Sequence, residues 1–408
     1  MAQGIALPGV WKFLEKKGGA LTNLKNSPGG DSLRVFKFIK EDNVKMKSIA
    51  VTIGLMAAST ATFAQSSVTL GGQIKLGLDH VSVKGGSGTN PSVSRVTNNT
   101  SFWYLSGKED LGSGRSAYYQ LEWDFAADTG AMAAGRNFYL GLGDQKLGRI
   151  QLGRQSVYFS HHWFIVDYHG AFDAAPNAAN SLNVLGTING AHFAGSFLNN
   201  TIRYEAPNIY GFSGMASYTF DAESAENKKN KTWYVNPTYA NGPFRAGYFH
   251  MARRAQGVLP AQTVGTLDQD ADKLAFGYLD KGWRVGLLVD RNKVTDTATG
   301  NTQQRISYAI PVAYSFGPHM VSATWGQAKS MKVNGSTMKD TGAKMLSVSY
   351  QYALSKRTQL DLSVIELRNE KNGRYNLWNG SLSGGPQLAA IDAGARTRMI
   401  YAGMKHNF

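Results

Sequence analysis

The sequence predicts an all-β protein, a transmembrane antiparallel β-barrel of about sixteen strands. Three observations lead there. From Ser67 onward, segments of roughly eight to twelve residues alternate apolar and polar side chains with a period of two. Their polar faces carry full charges while their apolar faces end in Trp or Tyr, which suits a wet interior and an aromatic-ringed, lipid-facing exterior. Short and long connections alternate along the chain, and no stretch reads as a helix long enough to cover a sheet.

The chain of 408 residues holds 46 Gly, 19 Tyr, 19 Phe and no Cys, with a mean hydropathy of -0.28. That average argues against apolar helical spans but not against membrane strands, whose two faces cancel in it. The one continuous apolar run, "SIAVTIGLMAASTATFA" at 48–64, follows Lys45 and Lys47 and closes on Thr62 and Ala64. This is the pattern of a secretory signal peptide over 46–64, with cleavage expected before Gln65. Residues 1–45 show no pattern that continues into the rest, and Met46 is a natural start. They are read as an upstream extension without function, leaving 65–408 as a single barrel domain.

Nine Lys/Arg and four Asp/Glu lie in residues 1–64, so the remainder keeps 34 and 24 and a formal charge of +10. In a soluble protein this basic balance suggests nucleic acid or acidic lipid, whereas for an exported protein it points to small anions or lipopolysaccharide. The lack of Cys fits a barrel, whose closed hydrogen-bond ladder needs no disulfide.

In "VTLGGQIKLGLD", Val68, Leu70, Ile74, Leu76 and Leu78 share one face, while Thr69, Gln73, Lys75 and Asp79 share the other. "AYYQLEWDF", "GWRVGLLVDR", "ISYAIPVAY", "LSVSYQY" and "LDLSVIE" repeat the pattern. The charges assigned to polar faces are Lys75, Glu122, Asp124, Arg284, Asp290, Asp361 and Glu366. Alternation by itself also suits a soluble β-sandwich; the charged faces, the alternating connection lengths and the lack of long helices favour the membrane. With about sixteen segments, each strand and its connection has about 21 residues, enough for a tilted crossing of about ten.

One connection breaks the pattern. Roughly 45 residues separate "GRIQLGRQ" from "NNTIRYEAPN", rich in aromatics and nearly free of charge. Aromatic content argues against disorder, and in a wide barrel such a segment could fold inward and narrow the channel. At the C-terminus, "IYAGMKHNF" places Phe408 on the face of Met404, Ala402 and Ile400, with Lys405 opposite. A strand that runs to the last residue is expected to be tied into the sheet by pairing with the first.

Six segments in order, "GKEDLGSG", "YYQLEWDF", "GRNFYLGLGDQKLGRIQLGRQ", "NTIRYEAPNIYGFS", "YALSKRTQLDL" and "AGMKHNF", resemble the general porins of Gram-negative outer membranes, especially the neisserial and burkholderial type. The resemblance spans about Gln65 to Phe408. It implies a sixteen-stranded homotrimer in the outer membrane, in contact with lipid and lipopolysaccharide. The third external loop would fold into the lumen, and small ions and hydrophilic solutes would cross passively, with no cofactor. Arg136, Arg154 and Arg203 match arginines of the family's motifs and are expected on a basic pore wall. Tyr158, Trp163, Asp167, Tyr168 and Asp173 would belong to the constriction loop. Phe408 is implied as the aromatic signal read by the outer-membrane assembly machinery.

Two departures bear on selectivity. Phe102 stands where the family usually has a wall arginine, and the acidic Pro-Glu-Phe-Gly-Gly type signature of the loop is absent, leaving Asp167 and Asp173. Wall arginines should then dominate, giving a preference for anions or for polar aromatic solutes able to stack on Tyr158, Phe159, Trp163, Phe164, Tyr168 and Phe172. His161, His162, His169 and His192 lack the carboxylate or thiol support of a metal site. No nucleophile elbow frames Ser156 or Ser160 beside His161 and Asp167, so no enzyme is expected. The alternative function is an outer-membrane barrel acting as an adhesin or receptor through its loops.

Overall fold

A computed structural model describes residues 67–85, 92–166, 181–220, 231–254, 267–377 and 392–408. The expected signal peptide and upstream extension lie outside these residues. The first strands are β1 (Ser67–Lys84), β2 (Ser92–Asn98), β3 (Ser101–Gly112), β4 (Arg115–Ala126), β5 (Ala131–Asp144) and β6 (Gly148–Val157). After the long connection come β7 (Ser196–Ile209), β8 (Phe212–Thr219), β9 (Lys231–Asn241), β10 (Phe244–Arg254), β11 (Leu267–Asp280), β12 (Trp283–Asp296) and β13 (Thr302–Phe316). The last are β14 (His319–Ala328), β15 (Lys332–Val333), β16 (Ser336–Thr337), β17 (Ala343–Ala353), β18 (Thr358–Asn369) and β19 (Arg396–Asn407).

Sixteen of these form a closed antiparallel barrel in which each wall strand pairs with its neighbours in sequence and β19 returns to β1. Gln73 to Lys84 pair with Asn407 to Arg396, so the described wall strands close on themselves without a free edge. The other three are accessory. β2 pairs with the far half of β1, Leu76 to Ser82, where β3 no longer does. β15 and β16 make a small hairpin beside β13 in the β14–β17 connection.

At one end the turns are tight. Lys281 and Gly282, with φ of 46° and 85°, join β11 to β12, the left-handed pair that matches the twist of two antiparallel strands. Longer connections gather at the other end, the arrangement expected of periplasmic and external sides respectively.

Alternation decides which side each residue faces. Leu70, Leu78, Leu152, Leu362 and Ile400 are exposed, whereas Lys75, Asp79, Glu122, Asp290 and Asp361 are buried. An exposed apolar face over a buried charged face inverts the soluble pattern and is what lipid outside and water inside require. Glu366 corrects the sequence reading. It sits at even spacing from Leu360, Leu362 and Val364 and so lies on the outward face, not the lumenal one.

Candidate pore constriction

Between β6 and β7, residues 158–166 and 181–195 lie against the inward, polar faces of the wall. The segment begins with Tyr158 in a left-handed conformation, φ 67°, which turns the chain off the end of β6. The Tyr158 hydroxyl donates to Asp290 Oδ2 at 2.8 Å, and Lys273 Nζ stands 4.4 Å from the centre of its ring. Asp290 also accepts from Arg305 Nη1 at 2.9 Å and lies 3.7 Å from Lys273 Nζ. Lys273 Nζ in turn lies 3.1 Å from His162 Nδ1.

A helical turn, Trp163–Val166, comes next. It can sit flat because the wall beneath it is glycine. A Cβ on Gly277 would come 2.1 Å from the carbonyl oxygen of Ile165, and one on Gly286 would come 2.7 Å from Val166. The second helical piece, Ser181–Leu185, leads to backbone carbonyls held from the wall. Arg305 Nε donates to Thr187 at 2.8 Å, Asn292 Nδ2 to His192 at 2.7 Å, and Gln269 Nε2 to Phe193 at 3.2 Å. Val184 and Leu185 pack with Ile365, Leu367 and Met399 of the wall and with Tyr375 and Leu377, which follow β18. Burying these aliphatic and aromatic groups stabilises the seat by about 1.5–3 kcal/mol per side chain.

His161 is enclosed by Ser156 Oγ at 3.1 Å from Nε2 and by the Tyr234 hydroxyl at 2.5 Å from Nδ1. Burial, and then the nearby Arg203 and Lys273 cations, hold its pKa well below the ordinary imidazole value. A group whose folded pKa is depressed keeps its full contribution above the unfolded value and loses it as pH falls. Below about pH 6.5 the released segment binds the proton and the seated one does not, so seating weakens by up to about 1.4 kcal/mol per pH unit. Conductance and protease susceptibility of the segment should therefore change between pH 7.5 and pH 5, and His161→Gln should flatten that response. A wild-type response surviving in His161→Gln would assign the titration elsewhere.

On the wall strands β5 and β7, Arg136 and Arg203 point to the inward carboxylates and neither stands alone. Arg136 Nε lies 2.5 Å from Glu122 Oε1 and Nη1 2.9 Å from Asp124 Oδ1, with the guanidinium 4.8 Å from the Phe102 ring. Phe102, at the place of an expected wall arginine, thus becomes the platform for another one. Arg203 donates to the Ser156 carbonyl and lies 3.9 Å from Glu205, which also takes Arg149. Among the described residues of β4 to β7, the inward wall therefore holds three arginines and three carboxylates. Arg154 does not join them. At the register shift between β6 and β7 it donates to Gly135 and Asn199, and its guanidinium lies 5.9 Å from the Phe197 ring, which also stands 5.2 Å from that of Arg136.

A family model described as Gram-negative porin matches residues 50–372. The chain is a Gram-negative porin. It is 27% identical over 375 residues to outer membrane porin protein 32 of Delftia acidovorans, covering 89% of this chain and all of that one. With the major outer membrane protein P.IB of Neisseria lactamica the identity is 25%, covering 81% and 97%. The solved anion-selective porin from Comamonas acidovorans shares the fold at a TM-score of 0.68, with 24% identity over 84% of this chain and all of that one. The porin's place is accordingly the outer membrane.

The porin's sequence did not single out its strongest inward charge imbalance. On β10 to β13, Arg245, Arg253, Lys273, Arg284 and Arg305 face inward, with Asp290 as the one carboxylate within the wall among the described residues; Asp296, at the rim, caps the next turn. The signal was present in part, because Arg245, Lys273 and Arg284 each stand beside an exposed apolar residue, but it had to be read across four strands. Tyr158 and Trp163 are buried, so they hold the segment rather than offer faces to solutes; Phe164 is exposed. Asp167, Tyr168 and Asp173, expected at the constriction, and His169 lie outside the described residues.

Proposed function

We propose that this porin forms a water-filled channel for passive diffusion of small hydrophilic solutes and ions, with a preference for anions, and that the β6–β7 segment is the external loop that narrows it. The observation that carries the preference is the inward wall of β10 to β13, where Arg245, Arg253, Lys273, Arg284 and Arg305 share the face with two carboxylates, Asp290 and Asp296 at the rim, among the described residues. Such a surplus in a confined aqueous path concentrates anions and depletes cations. The basic wall is thus assigned to these strands, with Arg136 and Arg203 in a charge-balanced wall opposite. Reversal potentials in a salt gradient across a planar bilayer test it. Chloride should be favoured over potassium, and Arg245→Gln with Arg253→Gln should move the ratio towards unity. A cation-selective wild-type channel would overturn the preference, and absence of conductance would turn attention to the adhesin alternative.

The proposed transport involves no covalent step. Ser156 and His161 are hydrogen-bonded, but the other imidazole nitrogen faces the Tyr234 hydroxyl instead of a carboxylate, and the group is buried. Porins are oligomeric, and a homotrimer is the proposed assembly. Phe408 is proposed as the assembly signal as well as a seam residue: its backbone exchanges hydrogen bonds with Gly72 at 3.1 and 3.3 Å while its ring stays partly exposed. Deleting Phe408 should leave export intact and lower the assembled fraction in outer-membrane preparations; unchanged assembly would remove the signalling part.

A further inference from the structure

On the short-turn side of Arg136, the inward faces of β4 and β5 carry two tyrosines. Tyr118 is the cross-strand partner of Gly141, and Tyr139 that of Gln120, while Leu140, next to Tyr139, is exposed on the outward face. The glycines set how the first ring lies. A Cβ on Gly141 would come 2.6 Å from Tyr118 Cζ, and one on Gly143 would come 3.5 Å from Cε1. The Tyr118 ring therefore lies across bare backbone, with one face on the wall and the other turned to the lumen. Tyr139 stands edge-on to it, the ring centres 6.1 Å apart and the planes at 77°. Both side chains are half-buried.

Polar groups flank this ring on both sides. The Tyr139 hydroxyl donates to Gln120 Oε1 at 3.1 Å, and Gln120 Nε2 donates to Glu122 Oε2 at 3.1 Å. On β6 and β7, Glu205 accepts from Arg149 Nη2 at 2.5 Å and from Gln151 Nε2 at 3.2 Å. The Arg149 guanidinium stands 5.8 Å from the centre of the Tyr118 ring. Its side chain is 58% exposed, against 14% for Arg136, so it borders the lumen instead of closing over the ring. Four neighbouring strands, about 14 Å of wall at the ordinary spacing, thus present an aromatic face between hydrogen-bond donors and acceptors.

Charge balance decides what such a surface takes. Glu205 lies against both Arg149 and Arg203, so an anion would have to displace a carboxylate that the wall itself supplies. A cation would meet two guanidinium groups. A neutral ring bearing several hydroxyls meets neither obstacle. Its C–H face lies on the tyrosine, and each hydroxyl both donates and accepts, which suits the donors of Arg149 and Gln151 and the acceptors of Glu205 and Gln120. A pyranose has this form.

We propose that Tyr118, with Tyr139, Gln120, Gln151, Arg149 and Glu205, forms a binding site for a neutral saccharide in the short-turn half of the lumen. The site goes beyond the ion preference, which belongs to β10 to β13, and its binding test does not depend on conductance. Native protein in a detergent without a sugar headgroup is mixed with cellobiose, a neutral pair of flat-faced pyranoses, and saturation-transfer NMR reads binding at equilibrium. The same sugar is titrated against ion current in planar bilayers. Transfer to the ring protons should be seen, and the current should fall saturably. Tyr118→Leu, which keeps apolar bulk without the flat ring, should raise the half-saturating concentration at least about fivefold, whereas Tyr118→Phe should stay within about twofold of wild type. Absence of transfer to cellobiose, or equal binding by Tyr118→Leu, overturns the proposal. Equal binding of sorbitol, which has hydroxyls but no ring face, also overturns it. So does benzoate displacing the sugar at equal concentration, which would make the site one for aromatic anions. Sugar transfer from a protein that passes no current would support the site and fail the channel reading.

Discussion

Asp290→Ala is expected to destabilise the assembled barrel by about 3–5 kcal/mol and to release the β6–β7 segment from the wall. Three groups depend on that carboxylate: the Tyr158 hydroxyl at 2.8 Å, Arg305 Nη1 at 2.9 Å and Lys273 Nζ at 3.7 Å. Arg305 and Lys273 are almost wholly buried, so removing Asp290 leaves two enclosed cations without the carboxylate they share. Asp290→Asn should fall between, since it keeps an acceptor for Tyr158 but not the charge. Thermal unfolding in detergent reads the first effect, and single-channel conductance reads the second as a larger or noisier open state. Unchanged melting together with unchanged conductance would mean that the segment is held mainly by Asn292, Gln269 and the aliphatic cluster around Val184.

The second large effect is expected at the seam. Tyr401 faces inward, fully buried, with its ring lying across Gly77 and Gly403, a directly opposed pair on β1 and β19. A Cβ on Gly77 would come 2.3 Å from the Tyr401 ring and 2.6 Å from the carbonyl oxygen of Ala402. The second contact is with backbone and cannot be relieved by rotating a side chain. Gly77→Val should therefore cost at least about 1–3 kcal/mol, from overpacking, at the one place where the ends of the chain must meet. Its readout is the fraction of protein that reaches the closed, heat-modifiable form in the outer membrane. Leu78→Val, next door but outward, should assemble nearly as well as wild type. Equal assembly of Gly77→Val and Leu78→Val would show that the seam tolerates a displaced Tyr401.

Much of the fold was legible because strand geometry is local. Val68 to Leu78 and Leu360 to Val364 announce an exposed apolar face, and the structure places them there. The sixteen wall strands followed from segment count, and the structure pairs β19, the last of them, with β1. Glu366 is instructive in the other direction. Its shared parity with Val364 was visible, but a carboxylate on a lipid-side face makes sense only beside Arg368, Arg396 and Arg398, two of them on the next wall strand.

The constriction was less legible. The parity of Arg203 was readable while that of Arg136 was not, and the potential of either depends on its neighbours across the sheet, where Glu122, Asp124 and Glu205 stand beside them. Arg154, in the same run of motif arginines, has no carboxylate partner among its contacts and donates to Gly135 and Asn199 instead. The aromatic segment stood out as an exception to the strand pattern, but Tyr158 and Trp163 are buried in its attachment and do not form an exposed surface.

By itself, then, the sequence determined the alternation of faces, the number of wall strands, the exception between β6 and β7 and the closing role of the last strand. Each depends on neighbouring residues and the period of an extended chain. Only the tertiary structure decided which charges meet. Tyr158 and Asp290 are separated by 132 positions, and Lys84, Arg368 and Arg396 become neighbours only when β19 joins β1. The physical reason is that electrostatic effect depends on distance and burial in the closed barrel, neither of which a two-residue period specifies.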